Sequence, residues 1–264
     1  MDKIRKMNAD EFRDIASKHP FNMDLLTKDH YLTLILYLLK DVGGIYFKGG
    51  TALQKTFLDY ARLSEDADYT VTGDIEKAKE EIKTIIFRSG FFEKITKDKD
   101  VSGFTRLIVH YKGFSNEEGV VFIDLNKRAK LLLNPEEQRI KHFYSGFIPA
   151  FSLQTLSKAE MVAEKMAATI CRNKPRDHYD LYKIIKAGIP IDISMVKEKC
   201  RQSGVEFNII KMFNMAKKLK NRWDKDMIPL LAEEVSFQEV MQTLARHFKL
   251  KDEKDKIKSS RQKN

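Results

Sequence analysis

Between Lys28 and Lys40 the apolar positions follow a helical period around the run YLTLILYLL, which predicts a helix over 28–40. The short apolar run IYF then predicts a strand over 44–48, and TALQKTFL a helix opening at Thr51, whose hydroxyl suits an N-terminal cap. A second strand is predicted over 67–71. The stretch DIEKAKEEIKTIIFRSG reads as a helix closed by Gly90, since glycine enters the left-handed conformation of a helix end at no steric cost. Three strand-like runs follow, FFEKITKD, FTRLIVHYKGF and GVVFIDLN. After FIPAFSLQTLS the period becomes helical and stays so to about Leu250. The expected class is therefore α+β: a mixed α/β domain over 1–150, an all-helical domain over 151–250, and a basic, disordered tail over 251–264. No internal repeat is visible.

The turn FKGGT between the first strand and its helix invites comparison with phosphate-binding loops. Counted from Gly44, the pattern GxxxxGK[ST] puts Gly50 where its lysine must stand, and no glycine follows at the offsets of GxGxxG. Both patterns fail. What remains is a glycine pair that lets backbone approach a ligand, at a helix start that favours an anion. An ordinary tight strand-to-helix turn has the same pattern.

Downstream stands RLSEDADYTV. On a strand, period two puts Ser64, Asp66 and Asp68 on one face and Leu63, Glu65 and Ala67 on the other. Two carboxylates so placed repel one another unless a cation lies between them, and Mg²⁺ binds through one or two carboxylates plus substrate phosphates. A solvated strand end is the plainer alternative. In VVFIDLN, Asp124 shares a face with Val120 and Phe122, and a carboxylate on an apolar strand needs a partner or a metal.

The helical part carries its own signals. Ser157 and Glu160 fit a capping box for a helix from about Lys158 to Arg172. Met161, Val162, Met166, Ala168 and Thr169 form its apolar arc, and Lys165 falls inside that arc. A triphosphate would account for a lysine there; so would a snorkelling side chain in an inter-helix groove, and on either account Lys165→Met should leave stability unchanged or raised. NKPRDHYDLY starts another helix with Pro175 in its first turn and Asp177 and Asp180 on one side. His178 suggests no partner and reads as structural or exposed rather than catalytic.

A glycine-pair turn, a DxD strand and a third carboxylate on a later strand resemble the polymerase β-type nucleotidyltransferase superfamily. More closely, YFKGGTALQKTF, RLSEDADYT and LSKAEMVAEKMAATICRNKPRDHYDLYKI resemble the AbiEii/AbiGii-type nucleotidyltransferase toxins, in blocks across residues 30–190. The family's RFSEDIDL is altered at Leu63, Ala67 and Tyr69, which changes packing behind the strand and keeps Ser64, Asp66 and Asp68. Beyond Pro190 no resemblance is usable. The resemblance implies a polymerase β-like domain with a mixed sheet, followed by a helical domain that completes the active site. It implies transfer of NMP from an NTP to an RNA acceptor, the tRNA 3′ end, by the toxin of a type IV-like toxin–antitoxin or abortive-infection system with a separately encoded antitoxin. Asp66, Asp68 and Asp124 would hold Mg²⁺ or Mn²⁺, with Asp124 alternatively the base for the acceptor hydroxyl. Lys48, Gly49, Gly50, Thr51 and Ser64 would line the nucleotide, and Lys165 and Arg176 would meet its phosphates. Asp177 would orient Lys165 or act as base.

Composition narrows the classes. Hydrophobic residues make up 42% and aromatic residues 10%, which suits a globular chain. The longest apolar run, Tyr31 to Leu39, is too short to span a membrane. MDKIRKMNADEF has no signal-peptide core, and Cys171 and Cys200 fit no disulfide framework or zinc pattern, so the expected compartment is the cytoplasm. A net charge of +10 suits a polyanionic acceptor. It counts against a small-molecule enzyme of the aminoglycoside-modifying kind, which needs an acidic acceptor pocket. The intact carboxylates count against an inactive nucleic-acid or partner-binding module.

Overall fold

The computed structural model describes residues 4–253 and 255. The chain divides into two compact units between Lys158 and Ala159.

The first unit is organised by one seven-stranded mixed sheet. Its strands are β1 (Ile45–Lys48), β2 (Asp66–Val71), β3 (Lys94–Val101), β4 (Phe104–Lys112), β5 (Glu118–Asn126), β6 (Glu136–Arg139) and β7 (Ser152–Thr155), in the order β3-β4-β5-β2-β1-β7-β6. β2 runs parallel to β5, and β1 to β7; the other neighbours are antiparallel. Period two is clear in β4 and β5. Thr105, Leu107, Val109 and Tyr111 are buried on one face together with Val121, Ile123 and Leu125, while Arg106, Ile108, His110 and Phe122 are half-buried on the other. The outer strand β3 is almost wholly exposed and densely charged.

Four helices accompany the sheet: α1 (Ala9–Ala16), α2 (Met23–Leu38), α3 (Gly49–Thr56) and α4 (Ile75–Ser89). α2 packs on β2, β5 and α4. It is buried nearly all round, at Leu26, Thr27, Asp29, His30 and from Leu32 to Leu36, so its apolar run is that of a core helix rather than an amphipathic one. α4 starts at its Asp74 cap and stops where Gly90 turns left-handed.

Between α2 and α3 lies a buried ionic knot. Lys55 is 1% exposed, and its ammonium donates to Asp29 Oδ1 at 2.7 Å, Thr33 Oγ1 at 2.9 Å and Tyr60 OH at 2.5 Å. An ammonium has three N–H donors, and each finds an acceptor. The second carboxylate oxygen of Asp29 accepts from Tyr144 OH at 3.1 Å. Burial lowers the Lys55 pKa, with Asp29 pulling it back. Removing either charge would strand the other, so the knot ties the start of the sheet unit to α3.

The second unit contains α5 (Lys158–Cys171), α6 (Pro175–Lys186), α7 (Ile193–Gln202), α8 (Lys211–Asn214), α9 (Ala216–Met227) and α10 (Phe237–His247), with a 3₁₀ turn at Ile228–Leu230 and, among the described residues, no strand. α6 packs on α9 and α10. Trp223 Nε1 donates to the Val235 carbonyl at 3.0 Å and its ring meets Phe237 edge-on. His178 is buried, its ring nitrogens 3.0 and 2.9 Å from the carbonyls of Lys174 and Met212.

The sequence expectations differ from this fold in instructive places. The boundary falls after Lys158 rather than at 150, because SLQT forms β7 and pairs with β1 and β6. β6 and α1 were not predicted, although α1 carries a capping box between Asn8 and Glu11. α3 opens at Gly49 and not Thr51. Of the tail expected over 251–264, residues 251–253 and 255 are helical, and the rest lies outside the described residues.

Two histidines, the buried His30 and the half-buried His142, make the sheet unit acid-sensitive. Burial first, then the charges of His142 and Lys55, push His30 down to about 3; burial and Lys55 push His142 to about 4. Both bind a proton in the unfolded chain near pH 6.5 but not in the folded one, so their stability contribution is complete above 6.5 and is lost as pH falls toward these values. Thermal melts should therefore drop between pH 6.5 and 4, above the range where most carboxylates titrate, and His30→Leu should flatten that slope. An unchanged slope in His30→Leu would show that His30 is not responsible.

Candidate active site

The carboxylates predicted from RLSEDADYTV lie where β2 begins. Asp66 and Asp68 are half-buried on one face, and Ala67 and Tyr69 are buried on the other. Strand register then builds a row. Lys48 of β1 pairs with Asp68 of β2, Asp68 pairs with Asp124 of β5, and Asp124 pairs with Arg106 of β4. Register partners project from the same face, so a cation, two carboxylates and a second cation stand side by side across four adjacent strands.

The glycine turn is shaped by the second of those carboxylates. Gly49 has φ +79°, and a Cβ on it would lie 2.2 Å from Asp68 Oδ2. Only glycine meets both demands, a left-handed backbone and a carboxylate against its α-carbon. Gly50 is the second residue of α3. The anion standing beside this helix start is thus the protein's own Asp68, where the sequence suggested phosphate.

Thr51 corrects a further expectation. It is 1% exposed, and its hydroxyl donates to the Asp66 carbonyl and lies 2.8 Å from Ser64 Oγ. This side chain fastens α3 to the entry of β2 and orients Ser64 and Asp66, rather than facing a nucleotide.

Asp124 has its partner within the protein. Arg106 Nε donates to Oδ1 at 2.7 Å and Nη2 to Oδ2 at 2.6 Å, a bidentate pair. The guanidinium carbon lies 5.0 Å from the centre of the Phe122 ring. Hydrogen bonding to Asp124, opposed by burial and reinforced by the charges of Asp124 and Asp66, raises the Arg106 pKa further above its ordinary value. Asp124, expected as a third metal ligand, is here the partner of Arg106. Among the described residues no three acidic, histidine or cysteine side chains are gathered as a metal cage. Asp66 and Asp68 fit Mg²⁺ or Mn²⁺ as a donor set, being hard oxygen ligands on one strand face, with Asp68 seated against Gly49.

In the helical unit Lys165 is 5% exposed and pairs with Asp177 at 3.1 Å and Asp180 at 2.9 Å. Arg172 also grips Asp177, at 2.7 and 2.8 Å. Burial opposes the Asp177 charge, but Lys165 and Arg172 outweigh it and hold this carboxyl well below the usual range. Of the two roles expected of Asp177, the geometry is that of a residue orienting Lys165. Asp180, for which no role is expected from the sequence, is fully buried and is Lys165's second partner. Arg176 is half-buried in the first turn of α6; the arginine reaching Asp177 is Arg172, 55% exposed. A second buried lysine, Lys199 of α7, pairs with Glu160 at 2.5 Å and Glu164 at 3.0 Å, so the residue assigned to a capping box also serves as a counter-ion.

Solved structures share this fold. The nucleotidyltransferase toxin MenT4 of Mycobacterium tuberculosis is 20% identical, with a TM-score of 0.68 over 92% of this chain and 89% of that one. JHP933 of Helicobacter pylori is 19% identical, with a TM-score of 0.54 over 91% of this chain and 99% of the other. A putative nucleotidyltransferase of H. pylori is also 19% identical, with a TM-score of 0.56 over 87% and 95%. No curated protein sequence matches the chain. These structural likenesses show the fold. Residues 40–244 match the family described as nucleotidyl transferase AbiEii toxin, type IV TA system, and the chain belongs to that family. It is accordingly a nucleotidyltransferase toxin of the type IV toxin–antitoxin class, with an NTP as substrate and a separate antitoxin. Among the described residues no helix is long and apolar enough to cross a membrane.

Two substitutions probe these geometries. Gly49→Ala should cost about 1–3 kcal/mol in chemical denaturation through its backbone strain and should displace Asp68, lowering transferase activity as an Asp68 variant does. Full activity would show that the Gly49–Asp68 contact is dispensable. Contrary to the sequence expectation, Lys165→Met should destabilise by about 3–5 kcal/mol, because it removes the buried cation that Asp177 and Asp180 share. Adding Asp180→Asn should restore part of the loss, and an unaltered melt of Lys165→Met would overturn the ion-pair account.

Proposed function

We propose that this toxin transfers NMP from an NTP to the 3′ hydroxyl of an RNA, the tRNA 3′ end, in a reaction that depends on Mg²⁺ or Mn²⁺. The observation that carries this reading is the placement of Asp66 and Asp68 on one sheet face, with Asp68 seated against the glycine that opens α3. The RNA acceptor is supported by the family resemblance and by the net charge of +10.

A bound divalent ion supplies charge neutralisation of the phosphate oxygens during in-line displacement. The protein's own contribution is orientation. Asp66 and Asp68 are presented by a strand whose opposite face is locked in the core, and Thr51 pins the carbonyl of Asp66 to α3. Lys48 stands in register with Asp68 and offers a cation to a phosphate near the carboxylates. In the helical unit Lys165 takes the role of nucleotide-phosphate contact by resemblance, aimed by Asp177 and Asp180. Arg172 adds a water-facing charge to the same cluster.

The test is incubation with each labelled NTP, Mg²⁺ and total RNA, followed by location of the label. The expected result is label on RNA 3′ ends, lost by more than roughly 10²-fold in Asp66→Asn and Asp68→Asn with melts unchanged. Label on a small molecule alone would remove the RNA acceptor; near-normal transfer by both variants, or transfer in excess chelator, would remove the metal site.

A further inference from the structure

We propose that Arg106 is a resident counter-ion of Asp124 that divalent metal must displace, making it a positioning residue that sets metal affinity at the carboxylate row. This rests on the metal-dependent reading above.

Asp124 stands in register beside Asp68 on the adjacent parallel strand, the place from which a third carboxylate would reach an ion held by Asp66 and Asp68. Both of its oxygens are engaged by the Arg106 fork at 2.6 and 2.7 Å. The fork takes one lone pair of each oxygen and sets a like charge where a metal bound to Asp124 would stand, so guanidinium and metal compete for the carboxylate. The pair is open enough to exchange. The Arg106 side chain is 29% exposed and that of Asp124 12%, so water can take over the guanidinium's hydrogen bonds once it lets go.

The released guanidinium has a defined resting place. Phe122 lies beneath it, 5.0 Å from ring centre to guanidinium carbon, and the cation–π contact is independent of Asp124. Arg106 therefore stays at the same face when it gives up the carboxylate. There its planar fork suits a phosphate arriving with the metal. The row is charge-balanced in both states: Lys48 and Arg106 offset Asp68 and Asp124 before the metal enters, and phosphate replaces the carboxylate as the arginine's partner afterwards. Arg106 guards the site against metal without nucleotide, because release is compensated only when an anion is present to receive the guanidinium.

The test is Mn²⁺ affinity of the nucleotide-free protein, measured by titration calorimetry or electron paramagnetic resonance in wild type, Arg106→Gln, Arg106→Lys, Asp124→Asn and the Arg106→Gln/Asp124→Asn double variant. Arg106→Gln should bind Mn²⁺ tighter by on the order of tenfold, and Arg106→Lys, which keeps the charge but not the fork, should fall between it and wild type. In the Asp124→Asn background the gain should vanish, since the carboxylate under competition is gone. A non-hydrolysable NTP should narrow the gap between wild type and Arg106→Gln by giving the guanidinium its second partner. Equal Mn²⁺ affinities in wild type and Arg106→Gln, both melting normally, would overturn the proposal. So would a gain that persists in the Asp124→Asn background, which would reduce Arg106 to a general positive charge. Absence of Mn²⁺ binding in every protein, with and without nucleotide, would instead remove the metal reading itself and this proposal with it.

Discussion

The parallel pairing of β2 with β5 is the constraint on which the chemistry of this molecule depends. Asp68 and Asp124 are far apart in sequence, and only this register makes them neighbours. A slip of one residue would turn Asp124 into the core and bring Ile123 or Leu125 to the open face. The slip is resisted by the buried side of both strands, where Ala67, Tyr69, Val121, Ile123 and Leu125 are almost wholly excluded from water. The hydrophobic effect, acting on residues that touch no substrate, thereby fixes the positions of the carboxylates.

Around that pairing the protein uses buried ions as fasteners. Lys55 with Asp29, Lys165 with Asp177 and Asp180, and Lys199 with Glu160 are each at most 5% exposed at both partners. Such pairs add little net stability over apolar replacements, but they punish any arrangement in which one member lacks its partner. Each joins different helices: α2 to α3, α5 to α6, and α5 to α7. What they contribute is orientational selectivity, and α3 and α5 carry side chains for which orientation matters most.

How much of this was legible in the sequence follows from how local each signal is. The DxD face, the Asp124 anomaly and the closure of α4 at Gly90 depend on alternation or a single turn, and a sequence displays both. Arg106 was invisible because its partnership is created by a hairpin register, and nothing in FTRLIVHYKGF marks that arginine out. The same holds for Asp180, whose importance comes from a lysine on another helix, and for the short β7, whose four residues take strand form from β1 and β6. Thr51 was misread for a related reason: a hydroxyl at a helix start suits a cap, but the tertiary fold gave it the carbonyl of Asp66. Lys165 shows the limit most clearly. Its position within an apolar arc was correctly located, yet the arc could not reveal the two aspartates that make its burial tolerable.

The outer strand β3 has a consequence for the molecule's life in a crowded cell. An open sheet ends in backbone groups able to pair with any passing strand, and this strand is eight residues long and nearly all exposed. Along it run Lys94, Lys97, Asp98, Lys99 and Asp100, so another strand adding edge-on would have to strip water from a dense row of charges. An edge so charged discourages the sheet from growing, and the discouragement is carried by a strand that holds none of the candidate site residues.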